Sequence, residues 1–256
     1  MKDWEKALQK FIKPWKARKE VEGIIVTGSR VAGTATKNSD IDIHIILSDK
    51  TKWRERGNKR VDGFLMEYFA NPTKTIEQYF KNDIERQKKV TARMFALGII
   101  LFDKRGEMAK LQNKAQKELK RTFPKRDKEW IETQKYLLWD SLDGLLDLYE
   151  ENSPGFYYQY RMHINKLLEV YSIYKRAEFL TSIKTYKYFT DPSFAKKYKI
   201  ASFPDKVFSK YIISCLEAPN GKEKIKRAKK ITQYVHNKMG GFNIDGWKLK
   251  TPAIGS

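Results

Sequence analysis

Two carboxylates and an imidazole alternate along one short apolar segment of the chain. Asp40, Asp42 and His44 are separated by isoleucines in the run Asp40–Ile46. Because the side chains of a β-strand alternate between its two faces, a strand here turns the three polar groups to one side. Two carboxylates at this spacing can share Mg²⁺ ions whose remaining ligands are water and phosphate oxygens. The segment therefore predicts a magnesium site for a ligand that bears phosphate.

An upstream segment has the residue types of an anion-binding turn. The β-branched run Gly23–Thr27 leads directly into Gly28 and Ser29, and a helix can begin at Ser29 or Arg30. A strand-to-helix junction presents free backbone N–H groups to an anion, while glycine permits close approach. Serine adds a hydroxyl donor. We therefore expect a phosphate to dock at this turn.

His44 shares the predicted acidic face, and the sequence leaves two roles open for it. The imidazole can act in catalysis, or it can satisfy a hydrogen bond beside the site. A zinc site has no support, because three histidines and one cysteine show no clustered ligand spacing.

The order of these segments resembles the signature of the polymerase-β-type nucleotidyltransferase superfamily. That signature is Gly-Ser, a spacer, and then Asp-x-Asp or Asp-x-Glu, and here the ten residues Arg30–Ser39 form the spacer. The resemblance covers roughly residues 20–106. It implies a small mixed sheet with flanking helices and a third carboxylate on a later strand. Glu67 in Phe64–Phe69 is the best candidate for that carboxylate, although an edge-strand glutamate that faces solvent is the alternative.

The resemblance also implies a reaction and a role for each residue. The implied catalytic and metal-binding residues are Asp40, Asp42 and Glu67, which would hold two Mg²⁺ ions against an NTP, with ATP as the expected donor. The implied nucleotide-binding residues are Gly28, Ser29, Arg30 and Ser39. Glu67 either completes the metal site or takes the proton from an acceptor hydroxyl. That hydroxyl attacks the α-phosphorus and releases pyrophosphate, a reaction of the EC 2.7.7 type.

Residues 1–106 mix strand and helix signals, which predict an α/β (α+β) domain. The resemblance implies that it is a nucleotidyltransferase domain with a small mixed sheet. The predicted helices are Lys2–Lys13, ending near Pro14, and a helical stretch over Thr73–Phe95. The predicted strands are Gly23–Thr27, Ile41–Leu47, Val61–Phe69 (entered through Asp62-Gly63) and Ile99–Phe102.

Residues 107–256 carry helical periodicity punctuated by Pro, Gly and Asn breakers, which predicts an all-α helical-bundle domain. Beside a transferase domain, this second domain is expected to bind the acceptor. Helices are expected over Glu107–Lys120 and Lys222–Met239, with an irregular tail after Gly240. Some relatives complete the site across a dimer, so a monomer and a homodimer are both expected possibilities.

Composition excludes several protein classes. The 256 residues carry a net charge of +21 and are 41% hydrophobic, which is enough apolar material for a core. No apolar run approaches the roughly 20 residues of a membrane helix, so a spanning protein is excluded. The charged N-terminus lacks the apolar centre of a secretion signal, and the single Cys215 cannot form an internal disulfide. A reduced, cytoplasmic location is the expectation.

The acceptor is the least determined part of the prediction. Trp139–Glu151 holds five acids and no base, and one helix face carries Asp140, Asp143 and Asp147. An acidic face suits a polycationic acceptor, and the two-domain layout resembles the bacterial aminoglycoside and lincosamide nucleotidyltransferases, which act in antibiotic resistance. An ordinary solvated face explains the same pattern.

Two other functions remain open at this stage. Nucleotide addition to an RNA end or a protein side chain would use the positive charge to hold an acidic partner. A non-catalytic, transferase-like antitoxin or regulator is disfavoured, because all three carboxylate positions are filled.

Overall fold

The computed structural model describes residues 1–180 and 182–251, and the chain divides into two compact units. The first unit is Met1–Arg121 with Lys196–Ile200, and the second is Thr122–Ala195 with Ala201–Ser256. A mixed sheet with flanking helices forms the first unit, and the second is mostly helical. The expected fold class is confirmed.

One five-stranded sheet organises the first unit. Its strands are β1 (Val21–Thr27), β2 (Ile41–Leu47), β3 (Glu55–Val61), β4 (Phe64–Pro72) and β5 (Ile99–Asp103). They lie in the order β3-β4-β2-β1-β5, with β2 and β4 parallel and the other neighbours antiparallel. The central position of β1 and β2 explains their apolar composition, because both faces of each strand are covered.

Helices cover the two faces of the sheet. Helix α1 (Asp3–Lys16) packs on the face that holds the isoleucines Ile41, Ile43 and Ile45 of β2. The opposite face receives α3 (Thr73–Glu85), α4 (Val90–Leu97) and α5 (Glu107–Lys120). The four-residue helix α2 (Gly28–Val31) follows β1 directly. The predicted alternation of β2 is thus confirmed, and Asp42 and His44 belong to the face away from α1.

The strand predicted over Val61–Phe69 is wrong at its start. Asp62 and Gly63 have φ of 48° and 83° and form the turn of a hairpin between β3 and β4. Two positive φ values are what a two-residue hairpin turn requires. Strand β3 escaped the sequence analysis because it is an edge strand of mostly exposed polar residues, which shows no apolar alternation.

Two predicted helix limits also differ from the structure. Helix α1 continues through Pro14 to Lys16, since the last turn buries Trp15 against the sheet. A proline near a helix end removes only one hydrogen bond, and this burial offsets the loss. The helical stretch Thr73–Phe95 is two helices, separated near Gln87, whose φ is 56°.

The second unit is built from helices around its own core. They are α6 (Lys128–Glu150), α7 (Phe156–Tyr174), α8 (Ser182–Thr190), α9 (Pro192–Lys197), α10 (Lys206–Leu216) and α11 (Gly221–Lys238), although Lys196 and Lys197 are counted with the first unit. The acids Asp140, Asp143 and Asp147 are exposed on α6, opposite leucines that enter the core. No helix in the described ranges is both long and apolar enough to cross a bilayer.

Candidate active site

The three predicted acids lie together at the start of β2. Asp42 pairs with Glu67 across the parallel β2–β4 ladder, and Asp40 stands one residue before β2. One ligand oxygen from each carboxylate lies within 4.8 Å of the other two, and all three residues are partly buried. Strand β4 lies between β2 and β3, so the alternative of an edge-strand Glu67 is wrong.

Gly28 brings the backbone of the predicted anion turn against this acid cluster. Thr27 pairs with Asp42 in the β1–β2 ladder, which sets Gly28 beside the Asp42 side chain. A Cβ atom on Gly28 would lie 1.8 Å from Asp42 Oδ2, and the residue has φ of +78°. Both observations require glycine, because a side chain would collide with the carboxylate and the backbone is left-handed.

The donor set fits a hard divalent cation. Carboxylate oxygens are the ligands that Mg²⁺ prefers, and bonds of about 2.1 Å separate opposed oxygens by about 4 Å. A spacing within 4.8 Å therefore needs only small side-chain adjustments to enclose an ion. Three carboxylates this close also repel one another, which a cation relieves.

Arg56 is a member of the site that the sequence analysis did not identify. Its guanidinium Nη2 donates to Glu67 Oε1 at 2.6 Å. The guanidinium carbon Cζ lies over the Phe69 ring, 4.8 Å from the ring centroid. The Arg56 side chain is 69% exposed, whereas that of Glu67 is only 19% exposed. The available sequence signal was the spacing of Arg54, Arg56 and Arg60 by even numbers of residues. Such spacing indicates a shared face only if the segment is known to be extended.

The remaining predicted nucleotide-binding residues lie in the loop between β1 and β2. Arg30 Nη2 donates to the backbone oxygen of Ser39 at 2.7 Å, which ties the two ends of the loop together. The Ser39 hydroxyl accepts from the backbone N–H of Thr36 at 2.8 Å. Ser29 follows Gly28 in α2, and its carbonyl accepts from Thr34. Arg30 and Ser39 therefore order this loop in the free protein.

His44 lies two residues beyond Asp42 on the same strand face and is 7% exposed. Its ring stacks on Phe69 at 5.1 Å and contacts Phe95 at 5.0 Å. Neither ring nitrogen has a hydrogen-bond partner among the described residues. Burial lowers the pKa of His44 to about 4, so the imidazole is neutral near pH 7.

A cavity of about 410 Å³ continues along this sheet face from the acid cluster. The aromatic and amide part of its lining is His44, Phe69, Asn71 and Tyr79, and the charged part is Arg54, Glu55 and Arg56. The volume is within the usual range of small-molecule sites, about 300–1,000 Å³. Because the cavity lies beside Glu67, a substrate bound in it would be close to the acid cluster.

A distant segment of the chain also packs near the anion turn. The Tyr198 hydroxyl lies 2.6 Å from Thr34 Oγ1, and Arg93 Nε donates to the Tyr198 carbonyl at 2.7 Å. Residues 196–200 belong to the first unit for this reason. No local sequence signal marks this contact, because its partners are separated by more than a hundred residues.

Comparison with known families agrees with this geometry. Residues 7–100 match the family model of the nucleotidyltransferase domain. This part of the chain is similar to nucleotidyltransferase domains. The match confirms the predicted enzyme class, nucleotidyltransferases of the EC 2.7.7 type, and supports the superfamily resemblance. The resemblance to antibiotic-modifying enzymes stays a prediction.

All seven predicted site residues lie inside the matched range, residues 7–100. Among solved structures, a nucleotidyltransferase-like protein from Exiguobacterium sibiricum 255-15 is similar to this chain, at 14% identity and a TM-score of 0.48. The similarity covers 91% of this chain and 74% of that one. No curated protein matches the sequence.

Proposed function

We propose that this protein transfers a nucleoside monophosphate, AMP from ATP, to a hydroxyl of a small acceptor molecule. The observation that carries the proposal is the convergence of Asp40, Asp42 and Glu67 beside the Gly28 turn, inside a nucleotidyltransferase domain. The β2–β4 register holds Asp42 opposite Glu67, and Asp40 stands one residue before β2, so the three carboxylates need little rearrangement.

The reaction forms one bond and breaks one at the α-phosphorus. The acceptor oxygen bonds to that phosphorus, the bond to the bridging oxygen of the β-phosphate breaks, and pyrophosphate leaves. Glu67 accepts the acceptor's proton directly or through water, or serves as a metal ligand. Gly28, Ser29 and Arg30 bind the terminal phosphates, and Ser39 orders the loop that presents them.

The proposed metal ligands are Asp40, Asp42 and Glu67, holding two Mg²⁺ ions. Bound divalent ions supply charge neutralisation for the triphosphate and for the attacking and leaving oxygens. Arg56 would neutralise Glu67 while no cation is present, because it already pairs with that carboxylate.

Two charge classes of acceptor compete. The exposed acids Asp140, Asp143 and Asp147 on α6 support a polycation such as an aminoglycoside. The arginines in the cavity beside Glu67 and the net charge of +21 support an acidic acceptor, including an RNA end. A non-catalytic regulator remains disfavoured, because the acids converge instead of facing apart.

A cytoplasmic setting is part of the proposal. Its support is Cys215, the chain's one cysteine, which is 1% exposed and unpaired. A buried thiol without a disulfide partner suits a reducing compartment. The association state is proposed as monomer or homodimer.

Substitution of the central acid tests the proposal. We expect Asp42→Asn to lower Mg²⁺-dependent transfer of label from α-labelled ATP by at least about 1,000-fold, because charge stabilisation of the reacting phosphate is lost. The assay uses aminoglycosides, sugar phosphates and total RNA as acceptors and detects labelled product. Asp62→Asn, at the exposed β3–β4 turn, is the matched control and should retain transfer. Near-native transfer by the folded Asp42→Asn variant would refute the assignment.

A further inference from the structure

The cavity beside Glu67 is a continuation of the acid cluster on the same sheet face. In the β2–β4 ladder Asp42 pairs with Glu67, and the next residues on that face, His44 and Phe69, pair with each other. Arg56 of β3 pairs with Phe69 from the other side. A molecule in the cavity therefore lies next to Glu67, to which the proposed function gives either the acceptor's proton or a metal ion.

Two guanidinium groups dominate the charge of this cavity. Arg54 Nη1 donates to the neutral Tyr79 hydroxyl at 3.0 Å, and Arg56 Nη2 donates to Glu67. A guanidinium has five N–H donors, so each arginine keeps donors for a ligand. The acidic lining residue Glu55 accepts from the Tyr68 hydroxyl. Arg54 has no carboxylate partner within the described part of the chain.

The inner wall supplies a second, independent sign of a ligand. Both ring nitrogens of His44 are buried with no hydrogen-bond partner among the residues described. Asn71, 6% exposed, lines the same cavity beside His44. Buried polar groups left unpaired are costly, so their presence in a cavity wall indicates a partner that the chain itself does not provide.

We propose that this cavity is the acceptor subsite and that it selects an acceptor with a phosphate group near its reactive hydroxyl. Arg54 and Arg56 would grip the phosphate, and His44 and Asn71 would hydrogen-bond the polar body of the acceptor above Phe69. Two planar guanidinium groups that line the same cavity match the several oxygens of a phosphate. The inference rests on the proposed nucleotidyl transfer and chooses the anionic class of acceptor.

The Arg56–Glu67 pair makes the selection testable by charge. In the free protein Glu67 competes with any anionic ligand for the Arg56 guanidinium. Removing the Glu67 charge should therefore release Arg56 to the phosphate, although the same change removes a group that the transfer reaction needs. A merely structural role for Arg56 predicts no gain in phosphate binding.

The first experiment measures binding without metal or NTP. The probes are ribose 5-phosphate, ribose and an aminoglycoside, each followed by ligand-detected NMR with the full chain. We expect binding of ribose 5-phosphate only, weakened at least about tenfold by Arg54→Gln or Arg56→Gln and strengthened several-fold by Glu67→Gln. Arg60→Gln, an exposed arginine farther along β3, and Ser29→Ala, in the nucleotide turn, should leave this binding unchanged.

Each contrary result overturns the inference. Equal binding of ribose, tighter binding of the aminoglycoside, or the same loss in Arg60→Gln as in Arg54→Gln would show that the cavity does not select phosphate. Loss of probe binding in Ser29→Ala alone would show that the probe occupies the nucleotide turn instead. Unchanged thermal unfolding of each variant confirms that the comparison is between folded proteins.

The second experiment separates this inference from the proposed function. Transfer of label from ATP is measured with ribose 5-phosphate and with a short oligoribonucleotide, which present the same ribose phosphate chemistry from two sources. Transfer that is indifferent to acceptor phosphate and to Arg54→Gln would reject the subsite and leave nucleotidyl transfer standing. Arginine-dependent phosphate binding with no transfer to any acceptor would reject nucleotidyl transfer and leave the binding site standing.

Discussion

At Gly28 the backbone and a carboxylate approach more closely than any side chain permits. We predict that Gly28→Ala lowers nucleotidyl transfer at least about 100-fold, because its Cβ would lie 1.8 Å from Asp42 Oδ2 and must displace that carboxylate. The left-handed φ of +78° adds a stability loss of about 1 kcal/mol. Transfer of label from ATP and urea unfolding measure the two effects.

Gly33 provides the matched control for this prediction. Its φ is +67°, but a Cβ atom there would meet nothing within 4 Å. Gly33→Ala should therefore show a similar loss of stability with transfer largely kept. Equal loss of transfer in both variants would mean that loop strain, and not the Asp42 contact, explains the effect.

Helix α10 begins after a cap residue, Asp205, that accepts several hydrogen bonds. Asp205 accepts hydrogen bonds from the N–H groups of Val207 and Phe208 and from the hydroxyls of Tyr171 and Tyr234. Burial raises the pKa of Asp205, but these hydrogen bonds to the charged form outweigh it and hold the pKa below its usual value. One carboxylate thus joins the start of α10 to α7 and α11.

We predict that Asp205→Ala lowers the free energy of unfolding of the second unit by about 2–4 kcal/mol, because it removes a helix cap and leaves two tyrosine hydroxyls without their acceptor. Urea unfolding followed by circular dichroism measures the change. Asp127→Ala, which removes a cap with one hydrogen bond to Trp130, is the comparison and should cost about 1 kcal/mol. An equal loss of unfolding free energy in both variants would contradict a stabilising role for the tyrosine hydrogen bonds to Asp205.

Only part of the β3–β4 hairpin has a local sequence signal. The Asp62-Gly63 turn and the apolar strand β4 carry sequence signals, although the turn was interpreted as the start of a strand. Strand β3 has none, because an exposed edge strand needs no buried face. Arg56 acquires its position near Glu67 only once β3 pairs with β4.

Across the whole chain, buried neutral histidine makes stability sensitive to acid. His163 donates from Nε2 to Thr232 Oγ1, whose own proton goes to the Ala228 carbonyl, and Nδ1 faces the Ser141 hydroxyl. Burial, with a smaller repulsion from His236, lowers the pKa of His163 to about 4. The folded state therefore resists protonation that the unfolded state accepts near pH 6.5.

The sign follows from proton linkage. Below pH 6.5 the unfolded state binds a proton that the folded state excludes, so stability is present above that pH and is lost as the pH falls toward 4. We predict a loss of about 1 kcal/mol from His163 between pH 7.5 and 5.5, measured by urea unfolding of the second unit. His163→Gln should have a smaller pH dependence. An identical dependence in both proteins would contradict the prediction.

The sequence by itself predicted the acid cluster of the first unit. Strand alternation predicted that Asp40 and Asp42 share one face, because alternation is a local consequence of backbone geometry. Their place beside Gly28 was expected from the family resemblance that the Gly-Ser spacing carries. Glu67 was identified through a family resemblance, and its distance from the other acids depended on the parallel β2–β4 pairing.

Only the tertiary structure decided which other groups surround those acids. Arg56, the cavity beyond His44 and the contact of Tyr198 with Thr34 all join residues that are far apart in sequence or lie on an element without a local signal. Strand order and register bring such residues together. Both are set by the free energy of the whole packed unit, to which contacts from many parts of the chain contribute. No short stretch of sequence encodes all of these contacts, so the acids were predictable and their surroundings were not.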